Sequence, residues 1–298
     1  MSPRTQADAN APPPSSTYQL SPTAAPSVEL WTPQSVIASL PAHSAPSSTG
    51  SASPIPFFHM LSRLKTTKRE GWRRFGISNG ESVSDHMYRM SILTLLAPPS
   101  LRASINIERC TILALVHDMA ELLVGDITPV DGIAKSEKNR REASTMDYLC
   151  QELLGSVDGG VQGREIRAAW QEYEDGASEE SKFVHDIDKM ELILQMVEYE
   201  RAAVDGTLQP DACLPKANGV AQLNGSVGNG PIGIASAGNA GNADVSRVPL
   251  DLGEFTWVAQ KIECAEVQVW AAEVLRERRR FWDQRGMTPQ DFSLLADP

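Results

Sequence analysis

The chain has 298 residues, 38 acidic and 27 basic, for a formal net charge of −11. That balance excludes a nucleic-acid polymer held on a broad basic face, which needs clustered Lys and Arg, while leaving open a small phosphorylated substrate beside a bound cation. Four cysteines with no C-x-x-C pair exclude zinc-ribbon and thioredoxin-type sites and a disulfide framework, and no apolar run approaches the roughly 18 residues of a membrane span, so a cytoplasmic protein, with the nucleus as alternative, is expected.

Residues 1–56 hold 11 of the 20 prolines, 12 serines and only three charges, Arg4, Asp8 and Glu29. So little apolar surface cannot offset chain entropy, and the segment reads as a disordered tail. Leu20, Leu30, Trp31, Val36 and Ile37 are the exceptions and would suit a short docking motif.

The folded part reads as helices over 57–283. Phe57 to Lys65 is a short apolar segment. Ser82 to Ala97 places Val83, Met87, Met90 and Leu93 at helical steps, and Asn106 to Val124 does the same with Ile107, Cys110, Leu113, Val116, Ala120 and Leu123 before Gly125 stops it. A helix from Ser136 to Leu154, capped by that Ser, ends before Gly155. Phe183 to Glu200 is apolar-striped. The stretch 206–246 is rich in Gly, Ala and Asn without a period, and reads as a flexible insertion. Glu254 to Trp282 aligns Phe255, Val258, Ile262, Ala265, Val269 and Ala272 and ends in Arg276, Arg278, Arg279 and Arg280, a solvated helix end. Residues 284–298 read as a C-terminal tail. No strand pattern appears, so the class is all-α, with about 190 residues in one domain.

Chemistry concentrates in the histidines. His43 falls in the tail, and His59, among Phe57, Phe58 and Met60, reads as packed. His86 lies on the inward stripe between Val83 and Met90, and His117 follows Leu113 by four. Inward polar groups cost free energy unless they are paired or hold a metal. His117, Asp118, Glu121 and Asp126 all fall within ten residues. On a continuous helix, His117 and Glu121 project about 40° apart and Asp118 about 100° from His117, which suits an octahedral ion with N and O ligands. The His-Asp dipeptide is weak evidence alone, since His185-Asp186 repeats it.

The longer string is more specific: Glu81-Ser-Val-Ser-Asp-His86, then His117-Asp-Met-Ala-Glu121, then Gly125-Asp-Ile-Thr-Pro129, then an acidic helix near Asp188. It resembles the HD-domain metal-dependent phosphohydrolases, within them the 5′-deoxynucleotidase branch, over roughly Phe57 to Glu200. The resemblance implies a helical bundle with a metal site in its core, ligated by His86, His117, Asp118 and Asp188. Asp186 and Asp188 stand about 200° apart around a helix, so one of them faces the site; periodicity leaves both open, and the family pattern favours Asp188. The resemblance makes Glu121 the acid/base residue, or else the carboxylate that holds the other ring nitrogen of His117. Arg69 becomes the phosphate clamp, with Arg73 or Arg74 as alternatives, and Trp72 lies against the sugar, where it would exclude a 2′-hydroxyl. Asp126, Ile127, Thr128 and Pro129 contact the nucleotide, and Glu121 with Asp126 would hold any second ion.

The implied reaction is hydrolysis of deoxynucleoside 5′-monophosphates to deoxynucleoside and phosphate, with Co²⁺ or Mn²⁺, or alternatively Mg²⁺, as cofactor. A phosphodiesterase, a nucleoside triphosphohydrolase and a non-catalytic HD scaffold are the alternatives. Lys135, Lys138, Arg140 and Arg141 open the next helix as a solvated run, with substrate steering the functional alternative. The family pattern further implies a homodimer, with the last helix as a candidate interface, and no membrane or nucleic-acid polymer as partner.

Overall fold

The computed structural model describes residues 30–41, 49–211 and 250–293. From Thr32 onward they form one compact unit. It is all-α: among the described residues the only β feature is an isolated antiparallel bridge between Lys68 and Ser82. The expected insertion falls largely on residues outside the described ones.

In chain order the helices are α1 (Pro33–Ser39), α2 (Ile55–Leu61), α3 (Glu70–Arg73), α4 (Val83–Leu95), α5 (Pro99–Arg102) and α6 (Ile107–Val116). Then come α7 (Glu121–Val124), α8 (Lys135–Asp147), α9 (Val161–Asp175), α10 (Glu179–Val204) and α11 (Ala265–Asp283). Ser82 starts α4 with a capping box, its hydroxyl accepting from Asp85 N while the Asp85 carboxylate takes the Ser82 N–H. Asn106 caps α6 by accepting from Arg109 N. α4 and α6 lie side by side, with the Thr94 and Thr111 hydroxyls 2.9 Å apart between them. Beneath them runs α10, 26 residues long, which also meets α9 and α11. Its buried positions, among them Val184, Ile187, Met190, Ile193, Met196 and Val197, ring the helix instead of striping it, as a central helix requires.

Several expected elements are redrawn. The first 56 residues are not all tail: Pro33–Ser39 is a helix capped by Thr32, and Gln34 Nε2 donates to Glu152 Oε1 at 2.9 Å. The stretch 106–124 is two helices. α6 ends at Val116, residues 117–120 turn through i→i−3 bonds such as Glu121 N to Asp118 O (3.0 Å), and α7 resumes until Gly125, whose φ of 78° stops it as expected. α8 begins at Lys135 after Ala134, so Ser136 is no cap, and it passes into a π-helical turn over Tyr148–Leu153. α9 is a helix that the periodicity reading passed over. His59 is exposed.

The stretch 254–282 also divides. A 3₁₀ helix over Gly253–Lys261 is followed by an extended break at Ile262–Cys264 and then by α11. The inward face of α11 is Val267, Ala271, Leu275, Arg278 and Trp282, while Val269 is 61% exposed, so the stripe extrapolated across the break has the wrong register. The Arg run is not wholly solvated. Arg278 is buried, donating to Glu200 through Nε and Nη2 (2.8 Å each) and to Asp251 through Nη2 (2.8 Å). Glu200 also accepts from Trp282 Nε1 and Leu252 N. Residues 284–293 pack back on the domain instead of trailing away, through Arg278 Nη1 to Gln290 O and Phe292 N to Thr256 Oγ1.

Removing one partner of a buried ion pair strands the other charge, at about 3–5 kcal/mol. Arg278→Ala is therefore expected to lower unfolding stability by about that much in urea titrations, whereas exposed Arg280→Ala should stay within about 0.5 kcal/mol. Equal effects would contradict the ion-pair assignment.

Candidate metal centre

Four helices converge on one point. α4 supplies His86 from a position with no exposed surface. The turn after α6 supplies His117 and Asp118, and the break in the helix there lets adjacent side chains face one centre. α7 supplies Glu121, and α10 supplies Asp188. His86 Nε2 lies 3.2 Å from Asp188 Oδ1 and 3.8 Å from Asp118 Oδ2; His117 Nε2 lies 3.1 Å from the same Asp118 oxygen. The ligand atoms of His86, His117 and Asp188 all fall within 4.8 Å of one another.

The tautomers follow from the acceptors. His117 Nδ1 faces the carbonyl of Ala114 at 2.9 Å; a carbonyl only accepts, so Nδ1 carries the proton. His86 Nδ1 lies 2.6 Å from the Glu191 carboxylate, which nearby His86 and Arg89 hold below its usual range against the effect of burial. With Nδ1 engaged on each ring, both turn Nε2 inward. Neither Nε2 has a hydrogen-bond partner, and nor does Glu121 Oε2, although all three are buried. Two orphaned imidazole nitrogens beside two carboxylates form a donor set that fits a divalent first-row ion.

The electrostatics are those of an acidic cage. Burial and the Arg69 charge oppose protonation of His86, yet Glu191 and Asp188 outweigh them and push it up to about 10. Burial works against ionisation of Asp118 and Asp188, but the histidines and Arg69 hold both well below the usual carboxylate range. Glu121 goes the other way: burial, then the charges of Asp118 and Asp126, raise it well above its usual value. Burial and those two charges thus favour its protonated form.

Of the three candidate arginines only Arg69 reaches the centre. Its Nη1 donates to Asp118 Oδ2 at 3.1 Å, and its side chain is 16% exposed. Arg73 pairs with Glu70 and Arg74 with Glu254, both at the surface. Trp72, expected against the sugar, sits among other aromatic rings. It is buried, donates to Glu81 Oε1 at 2.8 Å and packs on the rings of Tyr199 and Phe255. Indole burial with a satisfied N–H is a core arrangement.

Asp126, Ile127, Thr128 and Pro129 form the loop leaving Gly125. Asp126 Oδ2 accepts from Glu70 N at 2.7 Å, which ties this loop to the segment carrying Arg69. Thr128 is bonded to Asp131 through both N–H and Oγ1. On α8, Arg140 and Arg141 engage Glu137, whereas Lys138 contacts Glu142 and lies in the field of Glu121, Asp118 and Asp126. Asp186 faces away, accepting from Glu263 N, Cys264 N and Lys189 Nζ. His185 stacks on Tyr173 and contacts its carbonyl, so the second His-Asp pair is structural.

Two residues at the centre lay outside the sequence reading. Glu191 stands three after Asp188, and that i,i+3 spacing on one helix was the available signal. Tyr173 packs its ring on His117 and lies 3.4 Å from Asp188 Oδ2 through its hydroxyl; it sits on α9, the helix that the reading missed.

A family model for the HD domain matches residues 61–209. The protein named 5′-deoxynucleotidase hdd1 of Schizosaccharomyces pombe is 40% identical over 232 residues, covering 78% of this chain and 93% of its own. 5′-deoxynucleotidase YBR242W of Saccharomyces cerevisiae is 46% identical over 147 residues, 49% and 60% of the two chains. 5′-deoxynucleotidase HDDC2 of Xenopus laevis is 42% identical over 153 residues, 51% and 72%.

Because His86 is raised to about 10 in the metal-free cage, a proton must leave before its Nε2 can ligate. Affinity for Mn²⁺ should rise with pH below that value, by up to about tenfold per unit for one displaced proton. Calorimetric titration of metal-free protein between pH 6 and 9 measures this; a flat profile contradicts the cage described.

Proposed function

The chain belongs to the HD-domain family, and from that membership together with its curated relatives we infer that it is a 5′-deoxynucleotidase. It hydrolyses deoxynucleoside 5′-monophosphates to a deoxynucleoside and phosphate. One observation at the site supports this above others: buried, orphaned Nε2 atoms on His86 and His117 beside Glu121, whose buried Oε2 also lacks a partner. A non-catalytic scaffold has no physical need of that arrangement.

We assign His86, His117, Asp118 and Asp188 as the metal ligands. When bound, the divalent ion supplies Lewis-acid chemistry at the phosphoryl group. Co²⁺ or Mn²⁺ suits this mixed N and O set, with Mg²⁺ as the alternative. Arg69 turns its guanidinium from Asp118 toward the phosphoryl oxygens and clamps them in a fork that Lys cannot reproduce. Glu121 gives its proton to the 5′-oxygen as the P–O bond breaks, and the water that forms the new P–O bond returns one to the carboxylate. Asp126 keeps one oxygen on Glu70 N and offers the other at the lip, where Ile127, Thr128 and Pro129 meet the nucleoside. Lys138 adds positive potential at the same mouth. Glu121 and Asp126 are the pair that would hold any second ion.

No helix among the described residues is long and apolar enough to cross a membrane. Buried free thiols at Cys110 and Cys150 support a reducing compartment, the cytoplasm or nucleus. For assembly we keep a homodimer through the outer face of α11, where Val269 is exposed.

The test is phosphate release from each deoxynucleoside monophosphate and its ribose counterpart, using chelator-stripped protein with and without added metal. Release should require metal and favour the deoxy series; release that survives chelation would overturn the assignment. Glu121→Gln is expected to lower kcat by about 10²–10⁴-fold, and Arg69→Lys to lower kcat/KM, with exposed Arg73→Ala neutral.

A further inference from the structure

The two inward histidines are held in different ways. His117 Nδ1 donates to a neutral carbonyl, Ala114 O, in its own turn. His86 Nδ1 donates to Glu191 Oε2 at 2.6 Å, across from α4 to α10, and neither residue has exposed surface. We propose that Glu191 is the positioning residue for His86, fixing its tautomer and ring plane and making it the stronger donor of the pair toward a metal ion. This rests on the reading of His86 as a ligand.

The geometry divides the work of the carboxylate between its two oxygens. Oε2 serves His86. Oε1 accepts from Arg89 Nε at 2.8 Å and Nη2 at 2.5 Å. Arg89 is itself fixed, with Nη1 on Glu198 Oε2 (2.6 Å) and Nη2 on Gln195 Oε1 (2.7 Å). A buried carboxylate is costly without such partners, and the planar guanidinium keeps this one ionised and aimed. A charge-assisted bond to Nδ1–H raises electron density on the imidazole and lets Nε2 point only inward. Asp188 and Glu191, three residues apart on α10, share a face, so one helix delivers both a ligand and the group that holds its neighbour.

Glu81 is the competing carboxylate. Its oxygen falls within 4.8 Å of ligand atoms of His86 and Glu191. Glu81 Oε1, however, accepts from Trp72 Nε1 at 2.8 Å, and His86 Nδ1 is already engaged by Glu191. This group is therefore a holding network behind the metal centre and not a second ion site. It also gives buried Trp72 a task, since the indole anchors the rival carboxylate.

The experiment compares full-length wild type, Glu191→Gln and His86→Ala, each stripped of metal and titrated with Co²⁺ at pH 8. Affinity is read from the Co²⁺ absorption spectrum. Glu191→Gln keeps the side-chain volume but replaces the ionised acceptor with an amide. It should bind Co²⁺ about 10–100-fold more weakly than wild type and with an altered spectrum. At saturating Co²⁺ it should keep its KM for a deoxynucleoside monophosphate and regain most of kcat. Circular dichroism confirms that the variant is folded; should it not fold, Glu191→Asp, which keeps the charge but retracts it from Nδ1, is measured for the same loss of affinity. If His86→Ala abolishes binding while the folded Glu191 variant binds within twofold of wild type, Glu191 is packing alone and the proposal is overturned. If His86→Ala binds Co²⁺ as wild type does, the ligand reading itself has failed.

Discussion

A helix enclosed on nearly every side that still carries four inward carboxylates constrains everything packed around it. α10 bears Asp186, Asp188, Glu191 and Glu200, and each needs a donor or a cation because water cannot solvate it fully. Their partners come from α4, from α11 and from the backbone just before α11. Asp186 takes the backbone N–H groups of Glu263 and Cys264, which holds the chain where it breaks before α11. Asp188 faces His86, and Glu191 binds both His86 and Arg89 of α4. Glu200 takes Arg278 and Trp282 of α11. The candidate metal centre is thus one of several solutions to a single problem, the one in which imidazoles stand opposite the acid.

The same enclosure explains what the sequence conveys and what it conceals. The stripe of α4 and the cap at Ser82 were readable because α4 has one wet face and one dry one. So was the placement of His86, a polar residue on the dry face. α10 has little wet face, so no stripe distinguishes Asp186 from Asp188; the motif favoured Asp188, and the geometry turns that residue to the centre. The breaks at 117–120 and 262–264 were hidden because apolar spacing continues across them. Asp118 and Asp186, the side chains beside those breaks, take partners distant in sequence, Arg69 and the Glu263 and Cys264 N–H groups. The burial of Trp72 and Arg278 was hidden for a related reason. An indole near a basic run and an arginine in a basic helix end both look like surface groups until a carboxylate acceptor is placed beside them. In these cases the acceptors, Glu81 and Glu200, lie 9 and 78 residues away.

Within the centre, opposite pKa displacements mark a division of roles. Asp118 and Asp188 are held toward the ionised form by the histidines and Arg69, while Glu121 is pushed the other way by burial and by the charges of Asp118 and Asp126. Pairs of carboxyl groups pushed apart in this way separate ligand from acid. Arg69 donates to Asp118 inside the cage, so the cation that we propose as the phosphoryl clamp also helps hold the cage together beforehand.

The anchors on either side of residues 212–249 carry a consequence for what a cut in the chain would do. Before that stretch, Asp211 N bonds to Gly76 O. After it, Asp251 and Leu252 are tied to Arg278 and Glu200. The fixed points therefore do not depend on what joins them, and loop closure costs only slowly more as the joining length grows. A nick within 212–249 would leave a second fragment whose Leu252, Arg278 and Trp282 still hold the buried Glu200 of the first.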